Sequence, residues 1–186
     1  NAVTGTGNMV LSTSPSFTTP VLGIPTSGTL TNCTGLPVAG GGTSVVNLPI
    51  TPQGRLTLTT AVPVLTATVS AATTIYYTPY HGTLVPIYNG SAYIPFVCAE
   101  LSNITTNSAV GSAGPAAVTT NSNYDLFVWS NAGTPTLTRG PLWTSDTGRG
   151  SGAGTTQITM VNGIYTNTVA ITNGPGAGLG TYVGTV

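Results

Sequence analysis

The run YDLFVWSNAGTPTLTR, Tyr124 to Arg139, decides how this chain is read. Two short runs rich in Val, Thr and aromatic residues, YDLFVWS and TPTLTR, stand on either side of Asn131-Ala132-Gly133. Side chains of those types suit a half-buried pleated surface, and Asn and Gly readily take the positive φ that a chain reversal needs. The pattern predicts a β-hairpin, with a loop longer than the two residues of the tightest turns.

The same grammar extends in both directions. From Gln53 onward, RLTLTT (55–60), VLTATV (64–69), TTIYYT (73–78) and LVPIY (84–88) are predicted strands. Asn89-Gly90, between LVPIY and SAYIPF, and Asn162-Gly163, between TQITMV and IYTNTVAI, predict tight type I′ hairpins. The best helix candidate is FVCAELSNI, Phe96 to Ile104, long enough for two turns or so. GRGSGAG (148–154) and NGPGAGLG (173–180) read as flexible or close-packed loops. Many short strands with abundant turn residues give an all-β reading for residues 51–186, as a β-sandwich or a small β-barrel.

Residues 1–50 differ. Prolines recur at 15, 20 and 25, glycines cluster in AGGGTS, and Phe17 is the one aromatic residue. Proline blocks helix and removes ladder donors, so an extended arm is predicted. Its apolar groups, among them Leu11, Phe17, Leu22, Leu30 and Leu36, have no second layer within the same segment. Burial at about 25 cal/mol per Å² is out of reach for one copy, while ordering each residue costs on the order of 1–2 kcal/mol. The arm is therefore expected to bury those groups against copies of itself or against a partner. The chain opens on Asn1, without the basic start and apolar run of a signal peptide, and is read as a processed product or an excised part of a longer protein.

Charge is nearly absent. Of 186 residues, six are charged (Arg55, Arg139, Arg149, Glu100, Asp125, Asp146), lysine does not occur, and the formal net charge is zero. An average globular chain has about a quarter of its residues charged. Nucleic acid and anionic membranes attract clustered Lys or Arg, which this chain lacks, so neither is an expected partner. No run reaches the length of an apolar membrane helix, so membrane insertion is not expected either. Disorder is a poor fit as well, because the chain is 40% hydrophobic. A neutral Thr/Ser/Asn/Gly surface offers little colloidal repulsion and suits a permanent assembly.

No established catalytic or cofactor motif is found. Glycoside hydrolysis needs two carboxyl groups about 5–9.5 Å apart. Glu100, Asp125 and Asp146 are the whole supply, and nothing in their spacing pairs them. The expected role of Asp146 is to cap a turn or pair with nearby Arg149, and that of Glu100 is to find an arginine or water. His81, the single histidine, reads as a turn residue, and no G-x-S-x-G elbow occurs. GRGSGAG lacks both the dinucleotide spacing and the lysine of a phosphate loop. Cys33 and Cys98 lie far apart without ligand-spaced neighbours, so they read as small apolar residues or as a single disulfide. No metal or other cofactor is expected. The remaining constellation is aromatic: Tyr77, Tyr80, Tyr88, Tyr93, Trp129 and Trp143 are candidates for core or subunit-interface packing, or for stacking on sugar rings.

The stretch AVTGTGNMVLSTSPSFTTPVLGIPTSGTLTNCTGLPV, residues 2–38, resembles a segment of tailed-bacteriophage fibre and appendage proteins, in its punctuation above all. The parts PQGRLTLTTAVPVLTATVSAATTIYYTPYHGTLVPIYNG, AAVTTNSNYDLFVW, LTRGPLWTSDTGRGSGAGTT and VNGIYTNTVAITNGP look like a β-rich phage virion domain. The resemblance implies a structural virion protein on the particle exterior, without catalytic residues to carry over. It implies a domain that continues past Val186 in such proteins. It also implies a homotrimer, whose arms wind together or dock onto other virion proteins. Alternatives are a capsid head fibre or decoration protein, a module binding a host-surface carbohydrate receptor, and a polysaccharide depolymerase.

Overall fold

The structure, a computed structural model, describes residues 50–106, 115–150 and 155–186. The predicted arm and Cys33 therefore lie outside the described residues, apart from Ile50 at the end of the arm. The described part is all-β, as expected. Its strands are β1 (Gly54–Thr57), β2 (Thr74–Pro79), β3 (Leu84–Tyr88), β4 (Tyr93–Val97), β5 (Leu101–Ile104), β6 (Tyr124–Asn131), β7 (Thr134–Leu142), β8 (Ile158–Val161), β9 (Ile164–Asn167) and β10 (Thr181–Thr185). They form an antiparallel five-stranded sheet in the order β7-β6-β10-β9-β8, a three-stranded sheet β1-β2-β5, and the hairpin β3-β4.

The core lies where the two smaller sheets meet the large one. Ile75 and Tyr77 of β2, Val85 and Ile87 of β3, and Cys98 pack with Leu126, Val128 and Leu137 of β6 and β7. Alternation explains the choice: Ile75 and Tyr77, Val85 and Ile87, and Leu126 and Val128 are i, i+2 pairs that point to one face of a pleated strand. Polar bonds tie the layers too. Asn103 Nδ2 donates to Leu137 O at 3.1 Å, and Thr181 Oγ1 donates to Pro86 O. The far face of β6 carries Phe127, fully buried, with the Tyr182 ring and Gly180 at the end of the loop 168–180 beside it. That loop is the close-packed alternative of the two foreseen for NGPGAGLG, because a Cβ on Gly180 would stand 2.7 Å from Pro175 Cγ.

The hairpin predicted around Asn131-Ala132-Gly133 is present with a shorter loop than expected. Asn131 pairs with Thr134, so only Ala132 (φ 48°) and Gly133 (φ 89°) turn the chain. Asn131 is absorbed into the strand because Ala132 accepts the left-handed conformation in its place. Asn162 (φ 49°) and Gly163 (φ 87°) form the predicted two-residue turn between Val161 and Ile164. At Asn89-Gly90 the tight turn is replaced by a four-residue loop, with Tyr88 paired to Tyr93. Asn89 stays out of the left-handed region and uses its side chain instead, Oδ1 accepting from Ser91 N and Ala92 N, both at 2.9 Å.

Two further expectations are corrected. Phe96–Ile104 is not a helix: Phe96 and Val97 finish β4, Cys98 N donates to Thr83 O at 2.7 Å, and Leu101–Ile104 pair with β2. The helix-forming run Cys98-Ala99-Glu100-Leu101 is too short to outweigh the two ladders that flank it. VLTATV (64–69) has strand-like alternation but belongs to no strand, and Val64 and Leu65 are exposed. Alternation becomes a strand only where a neighbouring edge supplies hydrogen-bond partners.

Candidate functional site

The densest polar constellation surrounds Asp125. Here β6 passes two irregularities of register: Gly140 and Pro141 of β7 bulge opposite Asp125, and Val183 is the extra residue of β10 between Tyr182 and Gly184. Bulges re-aim side chains and accommodate proline, and these two leave Asp125 2% exposed with both carboxylate oxygens used. Arg149 Nε donates to Oδ2 at 2.5 Å and Nη2 to Oδ1 at 3.1 Å, while Thr185 Oγ1 donates to Oδ1 at 2.6 Å. The Arg149 guanidinium also lies 4.4 Å from the centre of the Trp143 ring and 5.8 Å from that of Tyr182. The bond to Asp125 is the main reason its pKa is held above the ordinary arginine value, against the opposing effect of partial burial. The predicted Asp146–Arg149 pair is thus corrected. Arg149 folds back to the buried acid, and Asp146, exposed, contributes its backbone carbonyl to Asn123 Nδ2 at 2.9 Å. The cluster fastens the C-terminal strand and the 143–150 loop to β6.

Arg139 is the second charged residue held inside. It is fully buried in β7 and donates to Asn103 Oδ1, to Ile104 O at 2.8 Å and to Ala116 O at 2.7 Å. Burial lowers its pKa, with the neighbouring Tyr124 acting in the opposite direction. Nothing in the alternation of TPTLTR distinguishes this inward arginine from an exposed one, so the sequence reading missed it. Asn167 was missed likewise: fully buried, it accepts from Gly180 N at 2.8 Å and donates to Val169 O and Gly176 O, both at 2.9 Å, folding the glycine-rich loop around one amide.

Glu100 ends as an acceptor of three bonds, from Thr60 Oγ1 at 2.5 Å, Ala61 N at 2.6 Å and Thr78 Oγ1 at 2.5 Å. Neither an arginine nor water is needed to account for it. Partial burial disfavours its charge, but the three donors together outweigh that and set its pKa below the ordinary value. A general acid for sugar chemistry needs the opposite shift.

The six aromatic candidates do not form one cluster; of them, Tyr88 and Tyr93 are brought into ring contact. Tyr77 is core, 1% exposed, its hydroxyl accepting from Gly54 N at 2.8 Å; burial pushes its pKa up to about 12 despite that bond. Trp129 is half-buried, with its indole N–H donating to Thr138 Oγ1 at 2.8 Å. Trp143 lies under Arg149. Tyr88 and Tyr93 form a ring pair at 5.1 Å on the β3-β4 hairpin. Tyr80 alone is well exposed, edge-on to His81 at 4.2 Å and beneath Arg55 at 4.9 Å. His81 occupies the predicted turn, its backbone N–H bonded to Gln53 O at 2.9 Å. Cys98 is buried and unpaired with any cysteine, and burial raises its thiol to about 11.

Among the described residues no group of three His, Cys, Asp or Glu side chains is placed to hold a metal ion, and no helix is long and apolar enough to cross a membrane. No family model matches the chain, and no curated protein or solved structure matches it.

Proposed function

We propose that this chain is a structural component of a bacteriophage virion, part of a tail fibre or related appendage on the particle exterior. In this reading residues 1–50 associate with other copies, as a trimer, and with neighbouring virion proteins. The observation that carries it is where the charge goes. Asp125 and Arg149 neutralise each other, Arg139 is buried, and Glu100 accepts three internal bonds, which leaves Arg55 and Asp146 as the exposed charged residues. An almost uncharged surface is poorly protected against association as a free monomer, and is suited to permanent residence in an assembly. The resemblance of residues 2–38 and of the β-rich segments to phage appendage proteins supports the same reading.

Mass spectrometry of gradient-purified particles tests it. The chain is expected at a fixed copy number relative to the major capsid protein, retained through high-salt washes because little of its surface is charged. Recovery only in the soluble lysate would overturn the proposal.

A further inference from the structure

An asparagine followed by glycine can react with its own backbone, because glycine places no Cβ beside the nitrogen that would attack the side-chain amide. The chain has three such pairs, Asn89-Gly90, Asn162-Gly163 and Asn173-Gly174. The fold restrains two of them.

At Asn89-Gly90 the side chain is engaged. Its Oδ1 accepts from Ser91 N and Ala92 N, both at 2.9 Å, and the two bonds hold the amide in one orientation. At Asn173-Gly174 the nitrogen is engaged instead, Gly174 N donating to Ile171 O at 2.9 Å. That turn is also packed, since a Cβ on Gly174 would stand 2.8 Å from Thr138 Cγ2 and 3.0 Å from Ile171 Cγ2. Little room is left there for the peptide to rotate.

Asn162-Gly163 has neither restraint. Both residues are exposed, and among the described residues neither the Asn162 carboxamide nor the Gly163 N–H has a hydrogen-bond partner. Beyond the chain neighbours, no atom lies within 4 Å of where a Cβ on Gly163 would stand. Attack requires the left-handed backbone of Asn162 (φ 49°) to open until Gly163 N approaches the side-chain carbonyl carbon. The turn joins β9 to β8, the outer strand of its sheet, so this local opening leaves the β7-β6-β10 ladder intact.

We propose that Asn162 is a self-modification site, converted through a cyclic imide formed with Gly163. Hydroxide takes the Gly163 N–H proton, the nitrogen attacks Asn162 Cγ, and Nδ2 takes a proton from water and leaves as ammonia. The bond formed is Gly163 N to Asn162 Cγ, and the bond broken is Cγ to Nδ2. Water then opens the ring. Cleavage at Cγ gives aspartate, while cleavage at the Asn162 backbone carbonyl gives isoaspartate, with the chain now running through the side chain. In sum one water is consumed and one ammonia released, without oxidant or reductant. Each conversion adds a carboxylate to a chain of zero formal net charge, whose exposed charged residues among those described are Arg55 and Asp146. Isoaspartate also lengthens the backbone of a turn closed by two residues, which loosens the β8-β9 end at the edge of the sheet.

Peptide mapping by mass spectrometry of the full chain, kept folded or in denaturant at about pH 8, tests the proposal. Dividing each folded rate by the rate of the same pair in denaturant removes differences of local sequence. Asn162 is expected to keep the largest fraction of its denatured rate. Asn89 should be slower by about tenfold or more on the same scale, since two hydrogen bonds must open first. Enzymatic methyl transfer specific for isoaspartate should label position 162, because only the imide route makes that product. A fraction at 162 no higher than at 89 or 173 would overturn the proposal, and so would aspartate at 162 without isoaspartate.

Discussion

Arg139→Met is the substitution that most severely tests how the layers of this domain are joined. The wild-type guanidinium donates to three neutral oxygens, Asn103 Oδ1 and Ile104 O of β5, and Ala116 O beyond it. Methionine fills much of the aliphatic volume and removes the donors. Ile104 and Ala116 belong to exposed residues, so water can take over at their carbonyls, at a loss of about 0.5–1.5 kcal/mol each. Asn103 is fully buried, and breaking the charge-assisted bond to its Oδ1 there costs about 1–3 kcal/mol. The sum is about 2–6 kcal/mol, against the ~5–15 kcal/mol by which domains are stable. With an unfolding entropy of ~2.1 cal/mol/K per residue over about 140 residues, a central value of ~4 kcal/mol lowers Tm by roughly 13 °C. Arg139→Lys should rescue little, since one ammonium cannot reach three acceptors held in different directions. Thermal melts followed by far-ultraviolet circular dichroism give the answer, and Asn103→Leu combined with Arg139→Met should lose less than the two single losses added. A Tm within about 3 °C of the parent, which at this size is ~1 kcal/mol, would show that the Arg139 guanidinium does not join the layers.

Three other outcomes follow from local geometry. Gly163→Val forces a β-branched residue to φ 87° where no atom lies within 4 Å of the new Cβ, so the loss is backbone strain alone, about 1–2 kcal/mol, read as a fall in denaturant midpoint. Because the folded pKa of Glu100 is depressed, its contribution to stability is fully present above the ordinary value of 4.5 and disappears as pH falls through the lower folded value; Glu100→Gln should flatten the acid limb of the stability curve, and an unchanged limb would remove the role given to its three donors. Cys98, buried with its thiol raised to about 11, should resist alkylation at pH 8 until the domain is unfolded, as peptide mapping will show.

The strands were legible where alternation coincided with a real partner. TTIYYT and LVPIY give β2 and β3 because their inward residues meet β6, and YDLFVWS followed by TPTLTR gives the β6-β7 hairpin. VLTATV shows the same alternation and makes no strand, since alternation reports a face and not an available edge. The turns were legible in place but not in length: Asn89 spends its side chain on Ser91 and Ala92, a tertiary choice that the dipeptide Asn-Gly does not encode. Charge partners were the least legible. Arg149 sits three residues from Asp146 yet bonds Asp125, twenty-four positions away, because two bulges and the C-terminal strand bring that acid beneath it. The aromatic candidates divide for the same reason, Tyr77 going to the core and Tyr80 to the surface on opposite sides of one strand end.

Where this protein resides is tested by direct localisation. Antibody fragments against residues 51–186, carrying gold and applied to intact particles of the virus that encodes the chain, are expected to decorate discrete external appendages in electron micrographs, at the same positions on every particle. Particles that remain unlabelled while the same fragments recognise the protein released by gentle particle disruption would place it elsewhere than the exterior, and failure to detect it in disrupted particles as well would contradict a virion role altogether.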